Sequence, residues 1–206
     1  MNRPAALRCM LGFLLVVQVG CASELVVRAP EAGPASRPSP LAELAPLAVS
    51  IGPMQGVPDS DAPIGERGAA PFQPGGPIYL TEPPGRALRR MLEATLTSAG
   101  LRVVRENAQA HLAPRLLEFR LDAPRDGGAW VVAARVGLSL RVTGRPGGPD
   151  WDEMRGRSER SQRVLWRPGT TTVESVLAGC LGELATVLSD SDELAAALAA
   201  HAGKPR

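Results

Sequence analysis

Apolar residues recur at helical spacing in two long segments of this 206-residue chain. In the first segment, Pro83 or Pro84 suits the opening turn, Thr81 can cap it, and Gly100 follows where a left-handed residue is needed. Arginines occupy the opposite face, so the pattern predicts an amphipathic helix. Its apolar stripe consists of Leu88, Met91, Leu92, Leu96 and Ala99.

The second helical segment carries a broader apolar stripe near the end of the chain. Thr171 and Glu174 have the spacing of a capping box at its start. A last short helix is predicted at about 192–201, with Leu194 and Leu198 on its apolar side. The stripe of the longer helix consists of Val173, Val176, Leu177, Cys180, Leu181, Leu184, Val187 and Leu188.

Strict alternation of apolar and polar residues marks 130–143, which is typical of an antiparallel strand with one solvated face. Residues 110–122 form another strand, whose apolar parity switches near Leu116 and Leu117 and so predicts a bulge. Pro114 favours an edge or bulge position in that strand. Further strands are predicted at 47–51, 101–104 and about 151–165.

These elements define one domain over residues 47–201. Consecutive strands separated by turns predict antiparallel pairing, and each amphipathic helix needs an apolar surface to cover. We therefore predict an α+β fold: an antiparallel sheet of four to five strands with two amphipathic helices packed on one face. Residues 52–77 read as a long loop, and 202–206 as a disordered tail.

The N-terminal stretch has the pattern of a bacterial lipoprotein export signal over residues 1–20. Arg3 and Arg8 supply the positive region and residues 11–17 a short apolar core, too short to span a bilayer. Small residues then lead to Cys21, as in a lipobox whose cysteine is acylated, although Gln18 replaces the usual Leu. The alternative is ordinary secretion with cleavage after Ala22.

Residues 21–46 are rich in Pro, Ala and Ser and show no hydrophobic period. That composition predicts an extended, disordered tether between the lipid and the domain. We expect a lipid-anchored protein at the periplasmic face of the outer membrane, the alternative being a soluble periplasmic or secreted protein.

Charge and aromatic content exclude one class of partner. Removal of residues 1–20 takes two arginines with it and leaves 21 basic and 21 acidic side chains. A nucleic-acid binder would need a net basic face, so no nucleic-acid partner is expected. Aromatics are only 3% of the chain, too few for a platform that stacks sugars or bases.

A family resemblance rests on several segments between about 41 and 200. They are the strand LAVSIGPM, the segment PIGER at 63–67, LRRMLEATLTSAGLRVV with the following AQAHLAPRLLEFRLD, and the terminal LSDSDELAAAL. In these the chain resembles small Gram-negative lipoproteins of the YajG type and, more loosely, the auxiliary lipoproteins of ABC lipid-transport systems. The resemblance implies an envelope accessory protein and supplies no catalytic residues.

Candidate catalytic groups are few. Cys180 falls within an apolar stripe, where burial raises the pKa of a thiol, and only the fold could bring His111 to it. His201 lies in a polar tail and is expected to be solvated. The carboxylates sit in segments that read as solvated turns, so we predict no catalytic site, no metal site and no cofactor. These carboxylates are Asp59, Asp61, Asp150, Asp152 and Glu153.

A basic stripe is the best candidate for a binding surface. On the predicted sheet, its residues share the solvated face, where arginine pairs bidentately with phosphate or carboxylate. The alternative is a plain solvated face. The candidate residues are Arg135, Ser139, Arg141, Arg155 and Arg157, with Arg160, Arg163 and Arg167 in the same basic run.

These observations favour a non-enzymatic envelope lipoprotein, an accessory or binding component of an envelope assembly or a lipid-transport system. Its partners would be the membrane, through the lipid on Cys21, and an envelope protein or anionic lipid. The alternatives are a structural wall-associated lipoprotein and a secreted hydrolase that uses His111, Cys180 or the carboxylates at 150–153.

Overall fold

The computed structural model describes residues 24–30, 39–58, 61–144 and 151–202. Within these ranges, the helices are α1 (Pro84–Ser98), α2 (Thr170–Ser189) and α3 (Asp192–Ala202), with a 3-10 helix at Pro40–Leu44. The strands are β1 (Leu25–Val27), β2 (Ala48–Ile51), β3 (Gly65–Arg67), β4 (Gly76–Leu80), β5 (Arg102–Val103), β6 (Ala110–Asp122), β7 (Arg125–Asp126), β8 (Ala129–Thr143) and β9 (Asp152–Val164).

The main sheet is mixed, not antiparallel as predicted. β8 pairs antiparallel with both β6 and β9, whereas β2 lies between β5 and β6 and is parallel to both. The order is β5-β2-β6-β8-β7, with β9 on the free side of β8. The prediction was wrong because α1 carries the chain back before β5 begins, and a strand reached through such a crossover pairs in parallel.

A second sheet of three strands has the order β1-β4-β3. It adjoins the second half of β6, because Leu121 donates its N–H to the Ile64 carbonyl and Ala123 donates to Glu66. Gly65 is required here, since a Cβ would lie 1.8 Å from the Leu121 carbonyl oxygen. The predicted loop at 52–77 therefore contains β3 and the start of β4.

The predicted tether over 21–46 is wrong for its described residues. β1 pairs in parallel with β4, with Leu25 opposite Ile78, and buries Leu25 and Val27. Ser39 donates to the Ser189 carbonyl and begins the 3-10 helix, whose Leu41 is fully buried. These apolar side chains hold the segment on the domain; residues 21–23 and 31–38 lie outside the described residues.

The alternation along β8 has the predicted consequence. Its apolar parity, from Trp130 to Val142, is at most 3% exposed and faces the helices. The register between β6 and β8 shifts between Leu116 and Glu118, which confirms the predicted bulge. Pro114 lies inside the strand and not at the bulge.

The two long helices pack where their stripes require. α1 begins after Pro83, so Thr81 is not its cap. α2 packs on β8 and β9, and Gly179 leaves room for the Arg160 side chain, which would lie 2.4 Å from a Cβ there. By length and composition, α2 is the one helix in the described part of the chain that qualifies as a membrane span. Its predicted apolar stripe is instead buried as in a core helix, except for Val187, which is half-exposed.

His201 is buried and not solvated as predicted. It lies on α3 at 4% exposure, and its Nε2 is 3.1 Å from Asp152 Oδ2. The last helix folds back so that Leu194 and Leu198 enter the core, and this packing carries His201 to the start of β9. Residues 203–206 of the predicted tail lie outside the described residues.

We predict that Cys180 is chemically inert in the folded protein. It is fully buried, its Sγ lies 3.4 Å from the Ser158 carbonyl oxygen, and burial raises the pKa of its thiol. An alkylating reagent should modify it slowly in buffer and rapidly in denaturant. Cys180→Ala should lower the free energy of unfolding by about 1–2 kcal/mol through lost packing, and Cys180→Ser by more. Rapid modification of the native protein would contradict this assignment.

Candidate binding groove

A groove of about 1040 Å³ lies beside the ends of β2 and β5, between the outer face of the sheet and α1. Segment 103–105, the polar side of α1, and Leu112 and Ala113 of β6 line it. It is open to solvent. Its polar and charged lining residues are Ser50, Gln55, Arg89, Glu93, Thr97, Arg105, His111, Arg141 and Thr143.

Pro114 explains why the groove begins where β2 ends. Gly52 donates its N–H to the Leu112 carbonyl, and in a parallel ladder its own carbonyl would accept from residue 114. Proline has no N–H, so that bond cannot form. The Gly52 carbonyl instead accepts from Arg89 Nη1 at 3.5 Å. Arg89, which lines the groove, thus supplies the hydrogen bond that Pro114 cannot donate.

The charged side chains of the groove are predominantly basic. Arg89 is paired with Glu93 at 2.8 Å, between Nε and Oε1. Arg105 is exposed and forms no ion pair within the described ranges, and Arg141 stacks on Trp151 with its guanidinium carbon 3.9 Å from the ring centroid. The guanidinium groups of Arg105 and Arg141 are therefore placed to meet carboxylates or phosphates from solution.

His111 supplies a neutral polar group to the same groove. Its Nδ1 is hydrogen-bonded to the Ser50 hydroxyl, since the two residues are paired between β2 and β6. Burial lowers the pKa of His111, so the imidazole is uncharged at neutral pH. Cys180 lies on the helix-covered side of the sheet, whereas His111 lies on the outer side, so the fold does not bring the two together.

Acidic neighbours already engage two of the arginines predicted to bind a partner. Glu118 lies between them, 3.8 Å from an Arg135 nitrogen and 3.1 Å from an Arg157 nitrogen. Arg135 also reaches Asp122 at 3.4 Å, where Arg120 is a second partner. This part of the outer face is a network of ion pairs in which basic side chains are balanced by carboxylates.

The other predicted residues of that face differ in how available they are. Ser139 is 4% exposed and donates to Glu153 Oε1 at 2.7 Å, and this bond lowers the pKa of that carboxyl. Arg155 Nε lies 3.5 Å from the same oxygen, although most of its side chain is exposed. Arg141 is the member that lines the groove. That these five residues bind a partner remains a prediction.

The remaining candidates are scattered. Asp152 and Glu153 point to opposite sides of β9, as neighbours on a strand must, the first towards His201 and the second towards Ser139. Asp61 is exposed, whereas Cys21, Asp59 and Asp150 lie outside the described residues. No group of three potential metal ligands occurs among the side chains that the structure describes.

Three further basic residues of the predicted run occupy other positions. Arg160 faces α2 and pairs with Glu183, while Arg163 lies 3.6 Å from Asp126. Arg167 Nη1 donates to Gln73 Oε1 at 2.9 Å and Nη2 to the Pro74 carbonyl at 2.6 Å. Sequence reasoning missed Arg89 and Arg105, because the groove joins segments that are far apart along the chain.

The solved structures to which this chain is similar resemble it in fold alone. Neither a protein-family model nor a curated protein matches this chain. A minor lipoprotein from Acinetobacter baumannii is 13% identical, with a TM-score of 0.45 over 72% of this chain and 92% of its own. A Xanthomonas campestris protein described by the family model DUF330 is 14% identical, with a TM-score of 0.56 over 85% of this chain and 97% of its own. The chain therefore shares the α+β fold of the Xanthomonas protein.

Proposed function

We propose that this chain is a lipid-anchored, non-catalytic accessory protein of the bacterial cell envelope, which binds an acidic segment of an envelope protein. The observation that carries the proposal is the open groove with the guanidinium groups of Arg105 and Arg141 at its rim. Arginine pairs bidentately with carboxylate, and it loses less entropy than lysine for each hydrogen bond formed.

The position of the groove favours a protein over the headgroups of the anchoring membrane. β1 begins beside Ile78, level with the second half of β6, because Gly65 joins Ile78 to Leu121. The groove lies at the other end of β6, around Leu112. The nine residue steps from Leu112 to Leu121 span about 30 Å. An N-terminal lipid would thus hold the groove away from its own bilayer.

A binding role also fits the chemistry of the core. Cys180 is buried, and burial raises the pKa of its thiol. His111 is hydrogen-bonded to Ser50 on the opposite side of the sheet. A nucleophile and a base must lie within hydrogen-bonding distance of each other, and Cys180 and His111 lie on opposite sides of the sheet. The hydrolase alternative therefore has no support from these residues. The assignment to the periplasmic face of the outer membrane rests on the residue after Cys21. This residue is Ala22 and not aspartate, which in enteric bacteria permits transfer of a lipoprotein to the outer membrane.

The lipid anchor is tested at Cys21. We expect the intact mass of the mature protein to correspond to a chain that begins at Cys21 and carries acyl groups, because Val19-Gly20-Cys21 follows a short apolar core. Cys21→Ser should yield unprocessed precursor or a soluble periplasmic protein. If the mutant is processed and fractionates with membranes like the wild type, the protein is not a lipoprotein.

The groove is tested by in-cell photocrosslinking from Thr97, an exposed residue of its wall. A photoreactive amino acid there should capture a protein, and Arg105→Glu with Arg141→Glu should reduce the yield about tenfold, because like charges then face an acidic segment. The matched control is Arg86→Glu with Arg102→Glu, two exposed arginines outside the groove, which carries the same charge change.

The crosslinking experiment distinguishes an acidic protein partner from an anionic lipid. A crosslinked product that protease removes identifies a protein partner. Capture of lipid alone would contradict the choice of partner, and an unchanged yield in the groove variant would exclude the groove as the binding site. Thermal unfolding of both double variants shows whether the fold is intact, and we expect similar midpoints because all four side chains are at the surface.

A further inference from the structure

Phe72 occupies the tip of a tight turn in an unusual way. Ala70 and Gln73 exchange two backbone hydrogen bonds of 2.8 and 2.9 Å, with Pro71 and Phe72 between them. Phe72 has a φ of 63°, a left-handed conformation in which such turns normally place glycine. Its side chain is completely exposed. The protein thus accepts a strained backbone and presents an aromatic ring to solvent.

Two further exposed apolar residues lie beside this turn. Leu165 and Trp166 follow the end of β9 and are 77% and 84% exposed. The next residue, Arg167, donates to Gln73 and Pro74, so its side chain joins the two loops. We call Phe72, Leu165 and Trp166 the aromatic end of the molecule.

The N-terminus enters the fold at this same end. β1 and β4 are parallel, so the start of β1 at Leu25 lies beside the start of β4, which the Phe72 turn directly precedes. Two residues separate Cys21 from Glu24, the first residue of the described fold, and the three residue steps between them span at most about 11 Å. An acyl group on Cys21 would therefore place a bilayer within reach of the aromatic end.

We propose that the aromatic end inserts into the interfacial layer of the bilayer that holds the acyl chains of Cys21. This inference rests on the lipid anchoring proposed above. Tryptophan and other amphipathic aromatic side chains favour the headgroup region of membranes. The stretch from Gly68 to Leu80 contains no charged residue, and Arg167, which donates to this turn, carries the positive charge that anionic headgroups attract.

The aromatic end would act as a second contact beside the acyl chains and fix how the domain stands on the membrane. The strands run between the aromatic end and the groove, as the register of β8 with β6 and β9 shows. Insertion of the aromatic end would thus direct the groove into the periplasm, where a soluble segment of a partner can reach it.

Two of the three tryptophans provide a matched pair of reporters for this proposal. Trp151 and Trp166 flank β9, whose 13 residues separate them by about 40 Å, and Trp130 is buried. The Trp151→Phe protein reports on Trp166, and the Trp166→Phe protein reports on Trp151. Each is purified as the lipidated mature protein and reconstituted into vesicles of phosphatidylethanolamine and phosphatidylglycerol, with or without brominated acyl chains.

We expect brominated lipid to quench the Trp166 reporter at least about twofold more than the Trp151 reporter, because only Trp166 lies in the interface. Phe72→Ser with Leu165→Ser in the Trp151→Phe background should remove most of that difference. Leu117→Ser with Val187→Ser, two half-exposed apolar residues elsewhere, should leave it unchanged. Equal quenching of Trp151 and Trp166 would overturn the proposal.

Failure of docking can be distinguished from failure of lipidation. Mass spectrometry of each protein reports the acyl groups directly. If they are absent, a chain expressed without residues 1–20, so that it retains Cys21, is coupled through that cysteine to a maleimide lipid, since Cys180 is buried and unreactive. Docking predicts the same quenching difference after this coupling. If Trp166 is instead shielded from iodide in lipid-free solution as the protein concentration rises, a second copy covers the aromatic end and the membrane assignment is wrong.

Discussion

The fold depends on β8, which is paired along almost its whole length with β6 on one side and β9 on the other. Because side chains alternate along a strand, this double pairing assigns every residue of β8 to one of two faces. One parity, from Trp130 to Val142, forms the surface on which α2 packs. The other parity carries Arg135, Ser139 and Arg141 to the outer face.

Each face then has its own character. Dispersion and the removal of apolar surface from water stabilise the helix side, where Cys180 is one of the buried residues. On the outer face, many charged side chains form ion pairs, as Glu118 does with Arg135 and Arg157. Such pairs contribute little to stability at the surface. The groove differs from this network, because Arg105 and Arg141 are exposed there and form none of these ion pairs within the described residues.

The length and regularity of a pattern decided what could be predicted from the sequence. β8 and α2 were predictable because their periods continue over many residues, and the bulge near Leu116 was visible as a switch of parity. β1 has three residues in a Pro- and Ala-rich context, so composition indicated a tether. Its strand exists because β4 lies beside it, a partner more than fifty residues away.

The candidate site shows the same limit. Arg141 was found because it belongs to the regular alternation of β8. Arg89 and Arg105 were missed, since their role depends on how α1 and β5 are placed against β2, and parallel pairing was not expected. His201 was misplaced for a similar reason, because its partner Asp152 is 49 residues away and only the packing of α3 brings them together.

Integration of β1 into the fold bears on the proposed lipid anchor: an acylated Cys21 would place the domain directly on the membrane. Neutron reflectometry of the lipidated protein on a supported bilayer measures this most directly. We predict a protein layer about 40 Å thick that begins at the headgroups. A water-filled gap of about 25–30 Å between bilayer and domain, the span of a flexible tether over residues 21–46, would contradict it.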